Sequence, residues 1–218
     1  MLQRGISWPM QRIGRALLLP AASVALLILS VAPLAEAQGT RALVEVHAGL
    51  ASPPFEHLRL SLGYGIEVGY GGRLGGSPVR FYGVVGFDRA AYAATGTHPF
   101  GGWQWSTERS YYDMHVGLRM LVPVVWELRW YLEALAGASY LDGSLEREIA
   151  PRVSTSGWSA LLVGATGLEL RWHRHLATGI RGELRAMLGE PDALATVIGD
   201  RGTGRIRLTI LASQSVMF

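Results

Sequence analysis

Cysteine, lysine and asparagine are missing from all 218 residues. Without cysteine there is no disulfide framework, no thiolate metal site and no thiol nucleophile. The lack of lysine is ascribed to GC-rich coding rather than to function. Charge is also scarce, at 17% of residues with a formal net charge of +3. Arg4, Arg12, Arg15 and Glu36 belong to the leader, so the remainder keeps 17 arginines against 16 acids, interleaved along the chain. A nucleic-acid binder gathers its basic residues on one face, so no nucleic-acid partner is expected. Beyond residue 37 no run of 18 or more consecutive apolar residues occurs, which excludes a membrane-spanning helix there. What is abundant is hydrophobic surface, 49%, together with 28 glycines. That combination is too apolar for a disordered chain and too rich in glycine for a helical bundle, and it favours a β protein.

Residues 1–37 have a basic start, an apolar stretch from Ala16 to Val31 broken by Pro20, and the small-x-small end Ala35-Glu36-Ala37. This is the plan of a cleaved secretory signal peptide, leaving 38–218 as one domain. No cysteine follows the cleavage site, so a lipoprotein anchor is excluded.

The mature segment repeats a period of two, the signature of strands with two unlike faces. Leu62, Tyr64, Ile66, Val68 and Tyr70 alternate with Ser61, Gly63, Gly65, Glu67 and Gly69. Similar runs begin near Arg41, Val79, Tyr112, Trp126, Trp158, Leu176 and Arg205, giving eight expected strands. Connections alternate between long (about 51–60, 89–109, 142–157 and 189–203) and short (about 71–77, 122–124 and 173–175). Short periplasmic turns opposite longer external loops characterise outer-membrane barrels. Pro123 and His173-Arg174-His175 are then expected in turns.

One parity collects Glu45, Glu67, Arg80, Asp88, Asp113, Arg119, Glu127, Arg129, Glu133, Glu169, Arg171, Arg181, Glu183, Arg185, Arg205 and Arg207, eight acids and eight arginines. Facing lipid, an arginine near the midplane costs about 2–4 kcal/mol, so in a membrane this parity points inward as a charge network in which opposite charges pair. The rival is a soluble, lipocalin-like periplasmic carrier with these charges in water. Two features favour the membrane. Aromatics of the apolar parity gather in belts, with Tyr70, Trp126, Trp130, Trp172 and Phe218 at one rim and Phe87, Tyr112, Tyr140 and Trp158 at the other. Glycines crowd the charged parity, where a narrow lumen needs room beside long arginines.

On these features residues 41–218 resemble the small eight-stranded outer-membrane barrels of the outer membrane protein A and X type. The resemblance implies an all-β fold, an antiparallel up-and-down transmembrane barrel in the bacterial outer membrane, in contact with outer-membrane lipid and lipopolysaccharide. It also implies that Phe218, ending the last strand, is read by the barrel-assembly machinery. Residues 41–218 carry no peptidoglycan-binding pattern beside the barrel, so a cell-wall tether is not expected from the resemblance.

Catalytic signatures are weak. The segment Gly69-Tyr70-Gly71-Gly72-Arg73-Leu74-Gly75 is not followed by a helix pattern and reads as a turn rather than a phosphate loop. His173 and His175 read as solvated turn residues rather than as a metal site. Asp113 and His115, on one face of a strand, are the best pair for acid–base chemistry, and a lumenal hydrogen-bond network is the favoured reading. A lipid-modifying outer-membrane enzyme is the alternative, but its outward face would need polar residues, and Gln214 is the main one there. No cofactor and no metal is expected. The 89–109 connection carries Tyr92, Phe100, Trp103 and Trp105; binding a surface ligand is one reading, and packing against the barrel rim and the lipopolysaccharide headgroup region is the favoured one.

Overall fold

The computed structural model describes residues 41–52, 61–73, 77–97, 102–148, 150–188 and 206–218. The leader, the 53–60 and 189–205 connections, Phe100, Leu74, Gly75 and Arg205 lie outside them. The strands are β1 (Arg41–Ala51), β2 (Ser61–Arg73), β3 (Arg80–Thr97), β4 (Gln104–Val125), β5 (Leu128–Arg147), β6 (Ala150–Arg171), β7 (Leu176–Leu188) and β8 (Ile206–Met217). Each pairs antiparallel with its neighbours in chain order, and β1 closes on β8 through a ladder from Leu43↔Met217 to Ala51↔Thr209. The expected eight-stranded up-and-down barrel is therefore the fold. Closure removes every free edge over the barrel proper.

Alternation assigns the two faces. Leu62, Val85, Leu118, Leu132, Leu168 and Ile180 point out and are exposed, whereas Glu45, Glu67, Arg119 and Arg181 of the opposite parity are wholly buried. Three polar residues of the outward face, Thr166, Thr178 and Gln214, are accounted for by hydrogen bonds. Thr166 Oγ1 accepts the Trp130 indole N–H at 2.8 Å; Thr178 Oγ1 accepts that of Trp172 at 3.1 Å and donates to Gln214 Oε1 at 2.9 Å. Each hydroxyl gives an indole on an apolar face the partner its N–H requires.

Strand length departs from the sequence expectation. β1, β2, β7 and β8 have 11–13 residues, but β3 to β6 have 18–22. Most of 89–109 and 142–157 is paired strand rather than loop, in ladders reaching Thr97↔Gln104 and Arg147↔Ala150. Alternation continues there, but with alanine, serine and threonine in place of large apolar residues, so the hydrophobic contrast fades while the ladder does not. Pro123 is likewise not in a turn: it lies in the last rungs of β4 opposite Arg129, beside an irregular rung where a missing N–H is tolerated, and the turn is Trp126-Glu127. Trp126 has φ 48° and is fully exposed, so it belongs to the turn and not to a strand face. The 173–175 turn falls where expected, closed by reciprocal bonds between His173 and Leu176.

Candidate functional site in the barrel lumen

The lumen is filled by ion pairs in two tiers. In the lower tier Arg119 of β4 reaches Glu45 of β1 at 2.8 Å and Glu67 of β2 at 2.5 Å, and its Nε donates to Glu133 of β5. Arg181 of β7 grips Glu67 with both terminal nitrogens, at 2.8 and 2.6 Å, and lies 3.2 Å from Glu45 and 2.7 Å from Glu133. The fork geometry of guanidinium suits this bidentate grip. Arg181 Nε also meets Glu183. In the upper tier Arg185 of β7 binds Asp113 at 2.7 Å, Asp88 at 2.8 Å and Glu183 at 2.7 Å. Arg207 of β8 reaches Asp113 at 2.6 Å while its guanidinium stacks 4.5 Å from the centre of the Tyr111 ring. Ser139 donates to the other Asp113 oxygen at 2.5 Å. Nearer the periplasmic rim Arg129 and Glu169 form a separate pair at 3.3 Å, and Ser215 donates to Glu169 at 3.1 Å.

Two histidines join the tiers. His47 Nε2 lies 2.5 Å from Asp88, and His115 lies 3.1 Å from Glu67 and 3.3 Å from Asp88. Their fit depends on glycine. A Cβ at Gly65 would stand 2.6 Å from the His47 ring and 2.7 Å from Asp88 Cγ, and one at Gly86 would stand 2.7 Å from Glu67 Cγ and 2.2 Å from the His115 ring. Side chains at these two positions would displace the network they flank.

Of the sixteen residues expected in a lumenal network, twelve are inward and buried: Glu45, Glu67, Asp88, Asp113, Arg119, Arg129, Glu133, Glu169, Arg181, Glu183, Arg185 and Arg207. Arg80 is half-buried at the start of β3. Glu127 is a correction. It is exposed in the β4–β5 turn and pairs at 2.5 Å with the partly exposed Arg171, so this pair clamps the periplasmic rim outside the lumen. That guanidinium holds the Glu127 carboxyl below the usual carboxylate range. Asp113 and His115, although both buried, face different partners, Asp113 the arginines and Ser139, His115 the carboxylates Glu67 and Asp88.

The sequence reading left His47 out of the network and took His115 only as a hydrogen-bonding neighbour of Asp113, although both stand on the charged parity. It also missed the apolar inward residues. Leu43, Tyr82, Val84, Leu121, Tyr131 and Leu135 belong to one buried cluster, and Tyr92, Trp105, Tyr111 and Leu145 to a second in the extended part of β3–β5. At these positions both faces of a strand are apolar, so alternation carries no signal. A cavity near the mouth, between Ala51, Gly63, Asp113 and Arg207, measures about 10 Å³, room for about one water.

The outward aromatics form a continuous row on one side of the barrel, with Phe87, Tyr112, Tyr140 and Trp158 at centroid distances of 6.5, 6.4 and 5.0 Å across β3 to β6. Tyr70, Trp130 and Trp172 are exposed toward the opposite rim. His173 and His175 stack at 5.8 Å, and His175 Nδ1 is 2.8 Å from the Met217 carbonyl. No group of three or more metal-ligating side chains occurs among the described residues. The Phe218 N–H donates to the Ala42 carbonyl at 2.9 Å, tying the last residue to β1.

No family model and no curated protein matches the chain. Among solved structures it is similar to a major outer membrane protein of Thermus thermophilus, at 10% identity and TM-score 0.60, covering 82% of this chain and 99% of that one. It also matches Neisserial surface protein A, at 14% identity, TM-score 0.46 and coverage of 83% and 98%. A third match is Ail, the attachment invasion locus protein of Yersinia pestis, at 13% identity, TM-score 0.48 and coverage of 83% and 99%. The chain has the fold of the small outer-membrane β-barrels.

Proposed function

We propose that the protein is an integral barrel of the bacterial outer membrane, exported through residues 1–37, with a structural or surface-interaction role rather than a catalytic one. The observation that carries this reading is the division of the two faces: a mainly apolar surface outside, and inside a set of arginines and acids paired across the lumen. Strands of 11–13 residues suit a tilted crossing of the hydrocarbon layer. The aromatic row then sits among lipopolysaccharide headgroups, and β3–β6 carry their outer ends beyond the membrane, where residues 89–109 are placed to meet a surface ligand. Phe218 serves as the signal for the barrel-assembly machinery.

A soluble carrier would need its apolar parity turned inward around a ligand cavity, whereas the inward face of the described strands holds paired charge. As a plug, these ion pairs block solute passage. Planar-bilayer recording at neutral pH tests the reading: no large steady single-channel conductance is expected, and a steady open pore contradicts it. Mass analysis of lipid A from cells with and without the protein checks the enzymatic alternative, and an unchanged mass is expected.

A further inference from the structure

On the periplasmic side five of the eight strands have an arginine at their last inward position. Arg41 opens β1, Arg73 closes β2, Arg80 opens β3, Arg171 closes β6, and Arg129 is the second residue of β5. All five share the parity of the buried lumenal charges, so they ring the periplasmic mouth of the lumen rather than the lipid-facing wall.

Register sets three of them side by side. Arg73 stands directly opposite Arg80 in the β2–β3 ladder, an arrangement that is unfavourable for like charges. Arg41 shares a rung with Gly71, and Gly71 shares one with Tyr82, so Arg41 and Tyr82 border a position that has no side chain. Arg41 is repelled by Arg80, Arg171 and Arg73, and Tyr82 lies within electrostatic reach of both Arg41 and Arg129.

Carboxylates do not offset this charge. Glu169 is held by Arg129 at 3.3 Å and Glu127 by Arg171 at 2.5 Å. Among the described residues no carboxylate lies within ion-pair distance of Arg41, Arg73 or Arg80. The neighbouring stretches Gln38-Gly39-Thr40 and Leu74-Gly75-Gly76 contain no ionisable side chain. Two donors here are also buried without a hydrogen-bond partner, Arg80 Nη1 and the Tyr82 hydroxyl. Unmatched buried donors and adjacent like charges are both relieved by one bound anion. A phosphoryl group suits the place best, because its several oxygens match the planar forks of more than one guanidinium at once.

We propose that the periplasmic mouth of the lumen is a binding site for a phosphoryl oxyanion, held by Arg41, Arg73 and Arg80, with the Tyr82 hydroxyl donating from beneath. The periplasmic address rests on the orientation proposed above; the binding itself does not.

The test is calorimetric titration of the refolded barrel, residues 38–218, with inorganic pyrophosphate in an uncharged maltoside detergent at low ionic strength. Saturable one-to-one binding is expected, and equimolar chloride should not displace it. Arg80→Gln and Arg73→Gln should each weaken binding by about tenfold, and Tyr82→Phe by about threefold. Arg152→Gln, at the far end of the barrel, should leave it unchanged. Mobility in unheated gels confirms that each variant is folded, and Arg73, exposed at its strand end, keeps the test informative should Arg80→Gln not fold. Adding phosphatidylglycerol to the micelles separates the sources: displacement of pyrophosphate identifies a lipid headgroup as the occupant, and no displacement a soluble phosphate or phosphate ester. Either result supports the site. Absence of saturable binding, equal displacement by chloride, or unchanged affinity in both folded arginine variants overturns it. Failed binding by a folded, non-conducting barrel removes the anion site alone, whereas recovery of the protein from osmotic-shock fluid removes the membrane reading and leaves the titration standing.

Discussion

Up to the level of Ala90 and Ala160 each inward side chain faces an opposing wall, whereas β3–β6 continue past the last described rungs of β2 and β7. The chemistry of the inward face changes at the same level. Within the closed part, charges from β1, β2, β4, β5 and β7 converge on one another. In the extension the inward face is mainly aromatic and aliphatic, with Tyr92 against Tyr111 edge-on at 5.7 Å and Trp105, Leu145 and Ala94 beside them. A buried charge needs an opposite charge within reach, and a closed ring of strands supplies it. Among the described residues of the extension, rings packing on rings take the place of that network. Arg207 stacked on Tyr111 marks the boundary between the two regimes.

This contrast can be broken at several points. The largest effect is expected from Arg181→Met, which strands Glu45, Glu67, Glu133 and Glu183 near it without their shared cation. A loss of about 3–5 kcal/mol is expected, read as a lower urea midpoint for barrels refolded in lipid vesicles. Next, Leu132→Arg on the outward face of the closed part should cost about 2–4 kcal/mol and reduce the folded yield. Ala93→Arg, outward on the extension, should stay within about 0.5 kcal/mol of wild type in the same assay. Similar losses for both would erase the distinction between lipid-facing and protruding strand. Smaller in global effect is Trp105→Ala, which should make the β3–β4 hairpin protease-sensitive while the heated-versus-unheated gel shift of the barrel is unchanged.

The smallest effect belongs to the rim. The hydrogen bond from Arg171 lowers the folded-state pKa of Glu127, so any stability from this pair is present above the ordinary carboxylate range and is lost as pH falls through the folded value. Because Glu127 is exposed, Glu127→Gln should leave the thermal midpoint at neutral pH unchanged within error.

Much of the barrel was legible before the structure because lipid on one side and a narrow lumen on the other impose opposite demands on alternate residues. Leu62 to Tyr70 show this directly. Reading failed where one demand lapsed. Beyond the membrane, Ala91, Ala93 and Thr95 replace large outward apolar residues, so paired strand looked like loop. Where Leu43 or Leu161 fills the lumen between arginines, both parities are apolar. Glu127 was misplaced because its parity matches the inward set, yet the turn begins one residue earlier. His47 and His115 sit on the correct parity, but only cross-strand distances reveal that Asp88 joins them. Such adjacency depends on register between strands that are far apart in the chain.

The central claim is that the apolar face meets lipid while the charges are sealed within. Fractionation of expressing cells, with heated and unheated samples compared on one gel, tests it most directly. The protein is expected in the envelope, released only by detergent, with an unheated band that shifts on boiling. Recovery from the osmotic-shock fluid as a monodisperse species in detergent-free buffer would contradict it.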